Sequence, residues 1–398
     1  MAAPRSLLAL CLPALSLLGL SCAPHPSAVR RSVDPATLAP GASGAAAGSS
    51  AALPSPAGGP TSVSADPAGL ALRRRVVAGP GVRSDPIIAW RLRLPVPVTI
   101  PLCSDQDTFW VVSAGAVHHI GADGSRALDV DLDATAPVTL TAEGPVVGVA
   151  DGSLLAFSSG NGKVVLAWRG SGRARGGAVP IEGGMAWMSS DGSLHSTLQD
   201  DALQLLTVAG QPASDGVHVF VHTLEGDLVA TQGIAERWRA RVRGPGIGAP
   251  VVGDSRVYDA WDAVGSTPGG VQAVDRETGR LLWERQLAAA PRGGLALDGS
   301  LLVPTADGTL LALDPATGEQ HWSSRLGADP LSTAPLVAAG SAWVGDAGGV
   351  LHRVDLDDGG EAWSLPLGAP VTSGPELAGG TLALGLANGD LVGVEERR

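Results

Sequence analysis

What most constrains this chain is a repeat of about 40 residues that ends in tryptophan. Three consecutive segments align: Gly269-Gly270-VQAVDRETGRLLW to Trp283, Asp307-Gly308-TLLALDPATGEQHW to Trp322, and Gly348-Gly349-VLHRVDLDDGGEAW to Trp363. Their tryptophans stand 39 and 41 residues apart, and Trp238 lies 45 before Trp283. Units of this kind bury their apolar faces on one another, so they stack. The gaps from Trp90 to Trp168 and from Trp168 to Trp238 are 78 and 70 residues, so each holds two units with one degenerate anchor. A Gly-x-x-x-Trp-x-x-x-Leu phrase recurs at Gly279/Trp283/Leu287, Gly318/Trp322/Leu326 and Gly359/Trp363/Leu367. It fits Gly124/Leu128/Leu132 with Leu for Trp, and in the other gap Leu205, after Asp201, is the best anchor. The ladder is then Trp90, Leu128, Trp168, Leu205, Trp238, Trp283, Trp322 and Trp363: eight units, or seven if the third and fourth merge.

Each unit reads as four short strands. APLVAAG (334–340) leads into SAWVG (341–345), a Gly-rich hairpin, VLHRVDL (350–356), a second turn and the Trp strand. Asp-Gly, Asn-Gly and Gly-Gly pairs at 151–152, 191–192, 307–308, 348–349 and 388–389 are hairpin signals. The 55 Gly and 30 Pro leave little room for helices. Four strands per unit of this length predict an all-β fold: an eight-bladed β-propeller of four-stranded antiparallel blades. The last unit, 371–398, stops where its Trp strand should begin, while 86–94 is a Trp strand with nothing before it. Pairing them completes a blade and removes an open edge.

The N-terminus predicts export. Arg5 precedes an apolar run, 7–20, that is interrupted by Pro13 and too short for a comfortable membrane span, followed by Ser21 and Cys22. Residues 1–21 thus read as a lipoprotein-type signal peptide, with Cys22 resembling a lipobox cysteine; an ordinary cleaved signal is the other reading. The Ala/Pro/Gly/Ser-rich stretch 22–85 reads as a disordered tether, leaving 86–398 for the propeller. Cys103 is then the lone thiol of the mature chain and is expected to be buried and inert. The propeller carries 20 Arg and Lys against 36 Asp and Glu, a net −16 that disfavours nucleic acid.

The phrases ALDPATGEQHW (312–322) and AVDRETGRLLW (273–283) resemble the repeat of PQQ-type β-propellers. With the lipoprotein-like start, the tether and eight units, the chain is similar to the BamB-like lipoproteins of outer-membrane protein assembly, strongly in units 5–8 and weakly in units 1–4. The resemblance implies a non-catalytic scaffold, lipid-anchored at the periplasmic face of the outer membrane. It would be a monomer within a complex with envelope proteins such as the β-barrel assembly machinery. That family docks its partner through an exposed Leu/Arg loop patch, which has no residue-by-residue match here. An unrelated envelope partner is the alternative. PQQ-dependent dehydrogenases share the repeat but are longer, with an adjacent-cysteine disulfide and a calcium-binding Glu, Asn and Asp set; this chain has no Cys-Cys pair, so no cofactor is expected.

Other constellations fail on geometry. His218 and His222 share a strand face but stand about 13 Å apart, too far for one metal. Asp129, Asp131 and Asp133 lack the glycine and the bidentate acid of a calcium loop. Two surfaces remain for a partner. Arg237, Arg239, Arg241 and Arg243 alternate along the Trp238 strand, as a basic stripe or as charges protecting an outer edge. Trp261, in an extended loop 259–270, is expected on the same face as Arg169, Arg173 and Arg175, exposed as a hot spot or folded back into its blade.

Overall fold

The computed structural model describes residues 81–205 and 208–397; the expected signal peptide, Cys22 and the tether up to residue 80 lie outside them. The described residues form eight antiparallel four-stranded sheets and no helix. Numbered by the order of their outermost strands, blade 1 is 371–396 with 86–93. Blades 2 to 8 are 103–131, 139–168, 174–204, 208–241, 251–286, 296–325 and 336–366. Units 3 and 4 are separate blades, so the count is eight.

Eight clusters of buried apolar side chains hold the ring, and each joins one blade to the next. This follows from strand alternation: a sheet sandwiched between two others needs apolar residues on both faces, and its middle strands are buried almost throughout. Burying a side chain such as Val303 or Leu384 contributes about 1.5–3 kcal/mol.

The ends of the chain close the ring. Pro86–Arg93 pairs antiparallel with Asp390–Glu396, from Pro86 opposite Glu396 to Arg93 opposite Asp390, with a bulge between Ile88 and Trp90. Arg91 and Arg93 each reach Asp390 at 3.0 Å. Hydrogen bonds from Arg93 and then Arg91 hold the Asp390 carboxyl below its ordinary range.

Residues 81–85, assigned by sequence to the tether, are part of the packing. Val82 is fully buried between blades 8 and 1. Its carbonyl accepts from the Trp343 indole at 3.2 Å, and the Arg83 carbonyl accepts from the Trp363 indole at 3.2 Å. A short Ala/Gly/Pro-rich lead carries no strand period, so only the partners it meets reveal its role.

Candidate partner-binding surface

The outer rim is built by a rule that links neighbouring blades. In four blades a long turn between the third and fourth strands seats a tryptophan from the blade before. In blade 6, Asp275 Oδ1 accepts from the Thr278 amide and hydroxyl at 2.9 and 2.7 Å, and Gly279 ends the turn at φ +69°. Trp238 of blade 5 donates its indole N–H to Arg276 O at 2.9 Å, with its ring where a Gly279 Cβ would stand. Only glycine fits there, for conformation and for space. Trp283 repeats this on Pro315 O and Gly318 of blade 7, Trp322 on Leu356 O and Gly359 of blade 8, and Trp90 on Ala122 O and Gly124 of blade 2. Trp363 faces the closing blade, which has no such turn, and uses Arg83 O instead.

The rule fails at blades 3 and 4, and there two ladder assignments need correction. In blade 3 the residue opposite Ala156, just past the bulge, is Leu166; Trp168 lies two positions on and packs half-buried beside Trp187 of blade 4. In blade 4, Leu205 donates its N–H to Gly192 O at 2.8 Å, as Leu326 does to Gly308 O at 2.9 Å. Leu205 is therefore the leucine four residues past the slot, and the slot falls on exposed Asp201. The cause is in the following blades. Blades 4 and 5 turn through Thr197-Leu198 and Gly233-Ile234, two residues each, and offer no seat. Leu128 of blade 2 does occupy its slot, opposite His119, and there Gly162 of the blade 3 turn packs on Val130.

Without seated tryptophans the rim opens. A groove of about 200 Å³ runs between the outer turns of blades 4 and 5, lined by Ser196, Leu198, Gln199 and residues 232–235. Val165 and Leu166 of blade 3 and Leu198 of blade 4 are 58, 52 and 54 % exposed.

Most of the arginine stripe is neutralised. Arg239 pairs with Glu236 at 2.7 Å and Asp227 at 3.2 Å, Arg241 with Asp227 at 3.1 Å, and Arg243 with Glu284 of the next blade. Hydrogen bonds donated to Glu236 and to Glu284 hold the Arg239 and Arg243 guanidiniums above their ordinary range. Arg237 alone of the four has no ion pair among the described residues. Trp261 is not an exposed hot spot. It ends a second strand, Arg256–Trp261, is fully buried, and donates to Pro268 O at 3.1 Å. Trp110, Trp187 and Trp343 are likewise buried on second strands, a second tryptophan class that the single-ladder reading missed. The hairpin 262–269 that follows Trp261 does share a face with the crossing 169–173, since hairpins between second and third strands bond the crossings beside them. Arg169, Arg173 and Arg175 are exposed and carry no ion pair among the described residues.

Buried ionisable groups lie between blades. His222 of blade 5 donates through Nε2 to Gly244 O at 3.1 Å, and its Nδ1 stands 2.8 Å from Asp259 of blade 6, a close but bent ion pair. Burial alone would lower this imidazole's pKa; the Asp259 carboxylate outweighs it and holds the value above the ordinary 6.5. His218 pairs separately with Asp215 at 3.0 Å. Cys103 is half-buried rather than fully buried, yet desolvation of its thiol, with Glu376 nearby, pushes the pKa far up, so the thiolate is suppressed.

The sequence profile of the family described as outer membrane protein assembly factor BamB matches residues 267–398. The crystal structure of BamB from Moraxella catarrhalis superposes with a TM-score of 0.64 at 20 % identity, covering 79 % of this chain and 99 % of that one. The fold is a PQQ-type, BamB-like β-propeller. The computationally designed Ika8 protein shares it at a TM-score of 0.65 and 16 % identity, covering 77 % of this chain and 98 % of its own. No curated protein matches the sequence. The profile match covers the end of blade 6, blades 7 and 8 and strands 371–396 of blade 1, and leaves blades 2 to 5 outside it.

Proposed function

We propose that this protein is a non-catalytic scaffold of the cell envelope that serves outer-membrane protein assembly, held to the membrane by lipid on Cys22. The observation that carries the reading is the BamB-like propeller, together with the family match over 267–398. The export signal and Cys22 support an anchored, envelope location. A designed protein with the same fold shows that architecture alone selects no partner. An unrelated envelope partner on the same propeller is therefore the competing reading.

Co-purification from crosslinked envelopes tests the function. Recovery of the β-barrel assembly protein is expected; its consistent absence, with another envelope protein recovered instead, favours the competing reading. Cys22→Ala is expected to release the protein to the soluble fraction. A variant as membrane-bound as the wild type would remove the lipid anchor from the proposal.

A further inference from the structure

The outermost strand of blade 3 differs from the other seven in kind. Val164–Trp168 reads VVLAW, without one charged or hydroxyl side chain, whereas every other outermost strand carries at least one Asp, Glu, Arg or His. Among the described residues its outer edge pairs with no strand, and Val165 and Leu166 are 58 and 52 % exposed on its two faces. Proteins commonly cover such an edge or place charge within it. Here charge sits only at the two ends. Lys163, the one lysine of the chain, precedes the strand and Arg169 follows it. Both are exposed and neither has an ion pair among the described residues, on a propeller of net −16 whose other outer arginines are largely held by carboxylates.

We propose that this edge accepts an extended segment of a partner protein as a fifth strand of blade 3, apolar at its centre and carrying carboxylates at both ends. The span from residue 163 to 169 is about 20 Å at strand rise, which fits a segment of about seven residues. Main-chain hydrogen bonds along the free edge supply affinity, while alternating side chains meet Val165 on one face and Leu166 on the other. The terminal carboxylates meet Lys163 and Arg169. A second copy of this chain is the wrong occupant: antiparallel self-pairing of VVLAW sets Lys163 of each copy against Arg169 of the other, like charge facing like charge. The proposal stands on this surface and does not depend on the assembly reading.

The full chain, solubilised in mild detergent, is titrated with a fluorescein-labelled peptide of alternating Val and Thr between paired glutamates, and with the same peptide bearing lysines for glutamates. Saturable binding of the acidic peptide is expected, weakened at least about tenfold by the lysine peptide and by high salt. Amide exchange should slow over 164–168, and carbodiimide coupling should join the peptide to Lys163 but not in Lys163→Met. Leu166→Lys, at an exposed position, should keep the wild-type unfolding midpoint and lose binding at least about tenfold. The proposal is overturned by an absence of saturable binding, by equal binding of the two peptides, or by binding unchanged in Leu166→Lys. Protection elsewhere on the ring, or sedimentation as a dimer joined through 164–168, overturns it equally.

Discussion

Blades 5 to 8 and blades 3 to 4 are the same four-stranded unit, yet only the first set carries a seated rim tryptophan. The difference does not lie in the strand that bears the anchor. It lies in the next blade, whose turn either supplies a carbonyl and a left-handed glycine or is two residues long and supplies neither. A ladder tryptophan is thus a property of two blades, and the signature fades one blade before the turns shorten.

The closing blade tests this comparison with the largest effect, because its seat for Trp363 comes from a different part of the chain. Proteins beginning at residues 81, 86 and 96 are expected to unfold in rising order of ease. Starting at 86 removes Val82 and leaves the Trp343 and Trp363 indoles without their carbonyls, a loss of about 2–4 kcal/mol. Starting at 96 also removes Trp90 and bares the edge of Asp390–Glu396, and the cooperative transition is expected to collapse. Thermal unfolding reads both steps. Equal midpoints for the first two would show that residues 81–85 seat nothing.

Within the rim, Trp283→Ala should cost about 3 kcal/mol and Leu166→Ala less than about 1 kcal/mol, measured by urea unfolding. The first vacates a seat bounded by Gly318 and Pro315 O; the second trims a side chain already 52 % exposed. Similar losses at the two positions would mean that the turn does not decide which anchor matters.

This asymmetry explains what the sequence disclosed. Asp-x-x-Thr-Gly at 275–279 and 314–318 encodes the whole seat, with acceptor, donor and left-handed residue in five positions, so those units align on sight. Blades 3 and 4 lack it, and spacing alone then drew the anchor to the large residues Trp168 and Leu205, two and four positions past the slots. Trp261 looked exposed because it precedes a Gly/Pro-rich stretch, but a residue at a strand's end can still point into the neighbouring sheet. The unpaired edge of blade 3 was legible only in part: VVLAW is visible as an apolar run, while its exposure depends on a turn in another blade.

The inner layer offers a sharper probe of the interface where the seats resume. His222 of blade 5 faces the Asp259 carboxylate and the Gly244 carbonyl, with Asp227 farther off. Its native pKa is raised above 6.5, so this pair's stabilisation is complete below the unfolded value and fades as pH rises through the native one. His222→Gln should therefore cost most near about pH 5.5, up to about 3 kcal/mol, and progressively less in alkaline solution. Urea midpoints across pH measure the gap; a penalty that grows with pH would mean that His222 is buried neutral.

The smallest effect comes from rebuilding the ladder where it is missing. Leu166→Trp alone places an indole opposite a two-residue turn, with no carbonyl to accept its N–H and no glycine to lie beneath its ring. The apolar contact it gains is offset by an unsatisfied or merely hydrated donor, so stability should move by less than about 0.5 kcal/mol. Replacing Thr197-Leu198 by the five residues of 314–318 should by itself be neutral or slightly costly, since a longer turn loses more entropy. Together the two changes supply both halves of a seat and should stabilise the protein by about 1 kcal/mol, a coupling that neither change shows alone. A double-mutant cycle in urea isolates that term. If Leu166→Trp stabilises equally with either turn, the rim tryptophans act through their own blade's surface, and the contrast between the two halves of the ring must come from elsewhere.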